Sequence, residues 1–148
     1  MISSILMVCT GNICRSPLAE YRFTQLVGND DVRIASAGVN ALVDQPADQS
    51  AVYIAQENGL DLSPHKGQSL TASMIQEYEL ILVMESHHKK VICNLYPFST
   101  GKVFLLGKWL DDPEIADPYK KSLEMFRAIY EKIDQSCQQW IPYLEGVT

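Results

Sequence analysis

The segment from Leu6 to Pro17, LMVCTGNICRSP, is the feature that most constrains how this chain can fold. Its apolar residues end at Cys9 and predict a buried strand, while Pro17 suits the first helical turn, where its missing N–H costs nothing. The loop between them must therefore wrap around a helix N-terminus, where free N–H groups and the helix dipole attract an anion. The same field favours the thiolate form of Cys9. The segment predicts a phosphate-binding loop with a nucleophilic cysteine at its base.

A cysteine followed six positions later by an arginine is a weak signal alone, because composition would place such a pair in roughly one chain in ten like this one. The context is more specific. Gly11 and Asn12 are residue types that tolerate left-handed backbone, and Ser16 places a hydroxyl beside the sulfur. The guanidinium fork of Arg15 can hold two phosphoryl oxygens at once. This context favours a catalytic loop over the alternative, a buried structural cysteine beside a surface arginine.

The rest of the chain alternates between short apolar runs and segments with helical spacing. The apolar runs predict four strands, over Ile5–Val8, Val32–Ala35, Leu80–Met84 and Val103–Leu106. The helical segments predict helices over Pro17–Leu26, Ala47–Asn58, Thr71–Glu77, Ser86–Leu95 and Ser122–Tyr143. The alternation predicts an α/β fold, an open, twisted four-stranded parallel sheet with helices on both faces. Because ligands bind at the carboxyl ends of such strands, the loops after the first, second and fourth strands can face one crevice.

Composition limits the remaining possibilities. A chain of 148 residues is the size of one ordinary domain, so residues 1–148 are expected to form a single domain. The net charge of -6 argues against a nucleic-acid partner, and the only basic cluster, His87-His88-Lys89-Lys90, is interpreted as the solvated start of a helix. Apolar runs too short for a bilayer predict no membrane insertion. Four cysteines without a regular framework fit a reducing compartment, which makes the cytoplasm the expected location.

These motifs together resemble the low-molecular-weight protein tyrosine phosphatases, whose active-site signature the segment from Cys9 to Pro17 matches throughout. The likeness covers essentially the whole chain and includes Ser36-Ala37-Gly38, the segment around His65, and Asp117-Pro118-Tyr119. Through Leu105–Trp109 the chain is similar to bacterial members that act beside exopolysaccharide tyrosine kinases. The resemblance implies a Rossmann-like phosphatase fold and hydrolysis of phosphotyrosine. It also implies a partner, the tyrosine-rich tail of a membrane-bound bacterial autokinase that controls capsule or exopolysaccharide export.

The expected chemistry is two displacements at phosphorus. Cys9 attacks in line and forms a phosphocysteine, while Arg15 binds the phosphoryl oxygens. The loop's backbone N–H groups meet the charge on the equatorial oxygens. That phosphate-binding loop consists of Thr10, Gly11, Asn12, Ile13, Cys14 and Ser16. The scheme requires no metal and no cofactor.

The resemblance assigns the acid–base role to Asp117, first as general acid for the departing oxygen and then as general base for water. Pro118 restricts Asp117 to extended backbone, which suits a positioned acid. Acidic residues in an exposed loop can instead serve only solvation. That interpretation is assigned to the other acids of the loop, Asp111, Asp112 and Glu114.

The resemblance also supplies a supporting network and the walls of the cleft. Residues matching Asn12, Ser16, Ser36 and His65 hold the asparagine in a strained left-handed conformation in the family, with the serine at position 16 stabilising the thiolate. The predicted walls for a phenyl ring are Ile13, Leu42 and Tyr119. Leu42 stands where many eukaryotic relatives carry an aromatic residue, and Lys120 where a second tyrosine is common. Ordinary loop packing remains an alternative for Leu42, and an exposed loop position for His65.

The sequence also suggests roles for Cys14 and Trp109. Relatives with a second cysteine at the position of Cys14 are reversibly protected from oxidation, so we expect Cys14 to capture a sulfenic acid formed on Cys9. Filling of the loop interior is the alternative for Cys14. Trp109 either anchors the loop that carries Asp117 or shapes the rim of the cleft, and anchoring is favoured. Cys93 and Cys137 lie in predicted helices and are assigned to packing.

Other functions use related loops. Thioredoxin-coupled arsenate reductases relay oxidation through two further cysteines close together, whereas Cys93 has no such neighbour. Protein arginine phosphatases carry a threonine that matches position 13, and Ile13 cannot make that polar contact. A catalytically dead phosphotyrosine-binding module could dispense with Cys9 or Asp117, and a nucleotide-binding loop would need a lysine or glycine pattern that is missing here. The sequence therefore favours a tyrosine phosphatase.

Overall fold

The computed structural model describes residues 1–144 and contains a four-stranded parallel sheet. Its strands are β1 (Ser4–Cys9), β2 (Arg33–Gly38), β3 (Leu80–Val83) and β4 (Val103–Leu105), in the spatial order β2-β1-β3-β4. All six residues of β1 are buried, as expected for a strand with neighbours on both sides and helices on both faces. The predicted fold class is confirmed, and the predicted strand ends are shifted by only a few residues.

Five α-helices connect and cover these strands within the described residues. They are α1 (Arg15–Val27), α2 (Gln49–Glu57), α3 (Ala72–Glu77), α4 (Ser86–Leu95) and α5 (Leu123–Leu144), and a 3-10 helix that the sequence did not predict spans Pro97–Lys102. Local signals set several ends. Asp48 accepts a hydrogen bond from the Ser50 N–H at the start of α2, and Thr71 does the same for Met74 at α3. Gly28 ends α1 in a left-handed conformation with φ 60°.

The sheet separates two apolar layers because successive side chains of a strand point to opposite faces. Ile5 and Met7 of β1 pack in one cluster with the buried residues of α1, α2 and α5. Leu6 and Val8 pack in the other cluster with the buried residues of α3 and α4. This two-sided burial explains why the strands read as continuous apolar runs rather than as alternating patterns.

The long loop after β4 is fastened to α5 by aromatic side chains. The Trp109 ring is stacked on Tyr143 at 4.7 Å with an interplanar angle of 16°, and its centroid lies 4.6 Å from that of Trp140. The Trp140 indole N–H donates to the Leu106 carbonyl at 2.8 Å. Trp109 therefore has the anchoring position favoured by the sequence analysis rather than a place on the rim of the cleft.

The interpretation of the basic cluster as a solvated helix start is wrong for one of its residues. His88 is completely buried, although the His87 side chain is 57% exposed. The reason is that only two residues separate the end of β3 from the start of α4, so that the first turn of α4 directs one side chain toward the loop after β1. Cys137 is buried in the first apolar cluster and Cys93 packs against the second, as the sequence predicted. No helix within residues 1–144 is both long and apolar enough to cross a membrane.

The end of β2 lies so close to the loop after β1 that a side chain at Gly38 would fit only if the backbone moved. A Cβ added at Gly38 would overlap the Thr10 carbonyl oxygen and lie 3.1 Å from the Ala41 Cβ. We expect Gly38→Ala to lower the free energy of unfolding by about 1–3 kcal/mol, because backbone must move to accommodate it. Urea unfolding followed by circular dichroism measures this change.

Gly101→Ala is the matched control for Gly38→Ala. A Cβ at Gly101 would meet no heavy atom within 4 Å, so this substitution should leave the urea midpoint unchanged or raise it slightly. Equal midpoints for the two variants would show that the close approach at Gly38 has no energetic weight.

Candidate active site

Three loops meet at the carboxyl edge of the sheet and enclose one cavity. The loop after β2 is held against the loop after β1 by backbone hydrogen bonds, among them Asn40 N–H to Thr10 O at 2.9 Å and Leu42 N–H to Gly11 O at 3.0 Å. The third loop follows β4. The residues lining the cavity are Cys9, Thr10, Gly11, Ile13, Cys14, Arg15, Asn40, Leu42, Asp117 and Tyr119. The structure thus brings together all three predicted catalytic side chains and the three predicted wall residues.

The floor of the cavity is the start of α1. Cys14 is the N-cap of this helix and makes no side-chain capping hydrogen bond, and the first turn contains no acidic residue. The N–H groups of a first helical turn have no partners within the helix, and the helix dipole is positive at this end. This end of α1 is therefore suited to an anion, although the whole chain carries a net charge of -6.

Asn12 gives the loop its shape. It is completely buried and has a left-handed backbone with φ 59°, whereas Gly11, predicted as a second left-handed candidate, does not have positive φ. The Asn12 Oδ1 accepts the Gln68 N–H at 2.9 Å, and the Asn12 carbonyl oxygen lies 2.6 Å from Nε2 of His65. Burial lowers the pKa of His65, so its neutral ring donates from Nε2 to this carbonyl. His65 is therefore part of the network and not an exposed loop residue.

A chain of hydrogen bonds runs from a carboxylate on α1 to the sulfur of Cys9. Ser36 Oγ donates to Glu20 Oε1 at 2.6 Å and accepts from Asn12 Nδ2 at 2.9 Å. The same Nδ2 donates its second hydrogen to Ser16 Oγ at 2.7 Å. Since Ser16 accepts from Asn12, its own proton is free to point at the Cys9 sulfur, which is 2.9 Å away. The bonds from Asn12 to Ser16 and from Ser16 to Cys9 thus point toward the sulfur and suit a negative charge there, while the other two bonds run from Asn12 toward the Glu20 carboxylate.

Glu20 is the terminal acceptor of this chain. Burial raises the pKa of its carboxyl, and the hydrogen bond from Ser36 counteracts that rise. Glu20 lies four residues after Ser16 on α1, so the two side chains share one face of the helix. Glu20 was not predicted from the sequence, in which its spacing from Ser16 is the available signal.

The Arg15 guanidinium is almost entirely buried, and its two edges have different surroundings. Its Nη1 donates to the Glu85 carboxylate and to the Ile115 carbonyl oxygen at 2.8 Å. Its Nε has no hydrogen-bond partner among residues 1–144. A buried N–H without a partner is costly and points to a ligand. One edge of the guanidinium is therefore fixed by the protein, and the other edge can bind an anion.

Glu85 stays ionised next to Arg15. Burial pulls the pKa of the Glu85 carboxyl upward, but the hydrogen bond and charge of Arg15 outweigh burial and hold this pKa below its usual value. Glu85 is the second residue after the end of β3. This residue was not predicted from the sequence, although the rule that sites form at the carboxyl ends of parallel strands could have indicated it.

Asp117 reaches the mouth of the cavity from the loop after β4. Its carboxylate lies 3.8 Å from Arg15 Nη2, and its side chain is 49% exposed. The Asp117 Oδ1 accepts the Tyr119 N–H at 3.0 Å, which fixes the carboxylate locally. Two residues before Asp117, the Ile115 N–H donates to the Met84 carbonyl at 2.9 Å. This backbone bond ties the acid-bearing loop to the sheet.

The other acids of this loop lie outside the cavity lining. Asp111 is exposed, and Asp112 lies 3.5 Å from Lys132 Nζ. The predicted solvation role is wrong for Glu114, because its carboxylate accepts hydrogen bonds from the Ser86 N–H at 2.9 Å and from the Ser86 hydroxyl. This interaction satisfies a free N–H at the start of α4.

The cavity walls combine apolar and aromatic side chains. Ile13 is buried, whereas Leu42 and Tyr119 are 44% and 41% exposed beside the opening. Lys120 has a left-handed backbone with φ 63°, and its Nζ lies 5.5 Å from the centroid of the Tyr119 ring. The walls can therefore contact a flat ring that enters the cavity.

Cys14 and Cys9 are both free thiols, and both line the cavity. Burial raises the pKa of Cys14 far above its ordinary value, so this thiol stays protonated. Capture of an oxidised Cys9 by Cys14 stays a prediction.

One group of side chains has the composition of a metal site. Ligand atoms of Glu85, His87 and His88 lie within 4.8 Å of one another. The Glu85 carboxylate is bound to Arg15, and both ring nitrogens of His88 lie within hydrogen-bond distance of protein groups, at 3.1 Å from the Glu85 N and 2.9 Å from Thr10 Oγ1. These atoms are therefore poorly placed to bind a cation.

Comparisons with known proteins agree with this geometry. Residues 4–147 match the low molecular weight phosphotyrosine protein phosphatase family. The low molecular weight protein-tyrosine-phosphatase Etp of Escherichia coli K12 is 44% identical over 138 residues, which cover 93% of this chain and 92% of Etp.

Two crystal structures of bacterial enzymes have closely similar folds. The tyrosine phosphatase AmsI of Erwinia amylovora has a TM-score of 0.93 and 44% identity, covering 97% of this chain and 94% of AmsI. The tyrosine phosphatase Wzb of Escherichia coli K30, in complex with sulphate, has a TM-score of 0.93 and 44% identity, covering 97% of this chain and 99% of Wzb. The chain therefore belongs to the low molecular weight phosphotyrosine protein phosphatase family and is a low molecular weight protein-tyrosine-phosphatase.

Proposed function

We propose that Cys9, Arg15 and Asp117 carry out the hydrolysis of phosphotyrosine through a phosphocysteine intermediate. The main support for this proposal is that three groups lie in one cavity. They are the Cys9 sulfur beside a hydroxyl donor, the buried Arg15 guanidinium with one edge free to bind an anion, and the Asp117 carboxylate 3.8 Å from that guanidinium. A sulphate-bound relative with the same fold supports an anion site of this kind.

In the first displacement, the Cys9 sulfur forms a bond to phosphorus while the bond from phosphorus to the tyrosine oxygen breaks. Asp117 gives its proton to the departing oxygen, and tyrosine leaves as a neutral phenol. The phosphoryl charge is shared by Arg15 and by the N–H groups at the start of α1. These donors are in place before the substrate binds, so little reorganisation accompanies the reaction.

In the second displacement, water attacks the phosphocysteine. Asp117, now a carboxylate, accepts a proton from that water, and the sulfur–phosphorus bond breaks. Cys9 leaves as a thiolate that the Ser16 hydroxyl stabilises, and inorganic phosphate is released. The same carboxyl thus serves both steps, which explains why one acid at the mouth is sufficient.

The preference for an aromatic ester follows from the depth of Cys9 in the cavity and from the side chains of the cavity walls. Cys9 is only 2% exposed, so a phosphoryl group must reach it on a long, flat arm. Ile13, Leu42 and Tyr119 offer apolar and aromatic contact to such an arm. Ile13 also argues against a phosphoarginine substrate, because it offers no polar contact. Cys93 and Cys137 lie on different helices and pack in different apolar layers, which argues against an arsenate-reductase relay.

The physiological substrate we propose is the phosphorylated tail of a bacterial tyrosine autokinase in capsule or exopolysaccharide control. The resemblance to bacterial family members that act beside such kinases supports this choice. A cytoplasmic location is part of the proposal, because the four cysteines are free thiols and catalysis needs one of them reduced.

Replacing the nucleophile should separate chemistry from binding. We expect Cys9→Ser to lower metal-free hydrolysis of para-nitrophenyl phosphate by at least about a thousandfold, because an unactivated hydroxyl is a poor nucleophile. Binding of inorganic phosphate, measured by calorimetry, should change by less than about fivefold, since Arg15 and the loop N–H groups remain. Cys93→Ser, outside the cavity, is the control and should keep full activity. Turnover retained by Cys9→Ser would overturn the proposed mechanism.

Replacing the proposed acid should affect poor leaving groups most. Asp117→Asn should reduce kcat/KM, which reports the first displacement, by about 10²–10⁴-fold for phenyl phosphate and much less for para-nitrophenyl phosphate, because nitrophenolate needs little protonation. Steady-state kinetics on both esters measures this difference. Asp111→Asn, an exposed acid outside the cavity lining, is the matched control. An equal loss on both esters would contradict the acid role.

The substrate proposal is tested in cells. Deletion of the gene should increase phosphotyrosine on the kinase tail, as measured by quantitative phosphoproteomics, and the wild-type gene should reverse the increase. The Cys9→Ser gene should not, because its product cannot complete turnover. Unchanged tail phosphorylation in the deletion strain would rule out this substrate without affecting the assignment of the reaction.

A further inference from the structure

His88 is a buried polar residue that the reaction described above does not use. It is completely buried at the start of α4 and is absent from the cavity lining, while its neighbour His87 is largely exposed. A buried imidazole needs hydrogen-bond partners to offset the loss of water. Its partners therefore indicate what the side chain is for.

Both ring nitrogens of His88 have protein partners. The Glu85 backbone N–H donates to Nδ1 at 3.1 Å, so Nδ1 carries a lone pair. In a neutral ring the proton then lies on Nε2, which donates to Thr10 Oγ1 at 2.9 Å. Burial, with the nearby charges of Arg15 and His87, lowers the pKa of His88 to about 4, so the ring is neutral at neutral pH. The imidazole therefore connects the end of β3 to the loop after β1.

The two residues joined by His88 are both neighbours of the Arg15 guanidinium. The Glu85 carboxylate accepts from Arg15 Nη1, and Thr10 Oγ1 lies 3.5 Å from Arg15 Nη2. The imidazole thus sets the distance between Glu85, which contacts one side of the guanidinium, and Thr10, which lies on the other side. A change in that separation would rotate the edge of Arg15 that faces the cavity.

We propose that His88 is a positioning residue of the phosphatase reaction, which fixes the orientation of the Arg15 guanidinium by joining Glu85 to Thr10. The proposal rests on the proposed function, because it assumes that Arg15 receives the phosphoryl group. When a group that binds the transition state is displaced by about an ångström, turnover can fall by roughly a hundredfold. His88 acts here only through its two partners, since it lines no part of the cavity.

The test uses substitutions that break one link at a time. In His88→Asn, the side-chain oxygen can still accept the Glu85 N–H, but the side chain is too short to reach Thr10. Thr10→Val removes the same link from the other side and preserves shape. We expect each substitution to lower kcat for para-nitrophenyl phosphate by about tenfold, with KM changed by less than about threefold. The double variant should be no slower than the slower single variant, because each single substitution already removes the hydrogen bond between His88 and Thr10.

Two controls separate positioning from stability. Thr10→Ser keeps the hydroxyl that accepts from His88 and should have a higher kcat than Thr10→Val. Shortening the buried side chain should lower the urea midpoint of His88→Asn, so kcat is measured where the variant is fully folded. A merely structural role would lower the midpoint and leave this kcat unchanged.

A wild-type kcat in folded His88→Asn, or losses that multiply in the double variant, would overturn the proposal. If His88→Asn does not fold, equal kcat values for Thr10→Val and Thr10→Ser would overturn it. These failures differ from failure of the proposed function, which appears as turnover by Cys9→Ser. An inactive Cys9→Ser together with a normal His88→Asn would remove the positioning role alone.

Discussion

The active site depends on one buried residue, Asn12, being held in a left-handed conformation. Such a backbone costs roughly 1–2 kcal/mol for a residue with a side chain. Asn12 makes four hydrogen bonds, to Gln68, His65, Ser36 and Ser16, each with a net value of about 1 kcal/mol. The bonds therefore outweigh the strain, and the loop keeps its shape without a ligand. The same amide also orients the Ser16 hydroxyl toward the sulfur, so loop shape and thiolate stabilisation have one cause.

Burial of Arg15 imposes a second constraint. A guanidinium removed from water costs several kcal/mol unless it is paired and its N–H groups are satisfied. Glu85 and the Ile115 carbonyl satisfy one edge, which also prevents the side chain from turning away from the cavity. Although the pair of Arg15 and Glu85 carries no net charge, Arg15 and not Glu85 lines the cavity, so its guanidinium adds to the positive field of the N–H groups of α1. This division lets an acidic protein present a site that favours phosphate.

The sequence was sufficient for features that depend on local pattern. The segment from Leu6 to Pro17 predicts a strand, a loop and a helix start, and the apolar runs predict the confirmed sheet. Features that depend on packing between distant segments were not accessible. His88 lies in a cluster with every local mark of a solvated surface, and only the approach of the loop after β1 buries it. Glu20 shares a helix face with Ser16 in the sequence, but no local pattern places Ser36 of β2 beside its carboxylate.

Topology explains why the unpredicted residues gather where they do. The chain adds β2 on one side of β1 and then β3 on the other, so the strand order reverses between β1 and β3. Loops leaving adjacent strands at such a point diverge to opposite faces of the sheet and leave a crevice between them. The residues that line this gap must come from just beyond the ends of β1 and β3. Thr10 and Glu85 occupy those positions, and a residue that reaches both, His88, can lie only in the first turn of α4. The support of Arg15 is thus a consequence of strand order.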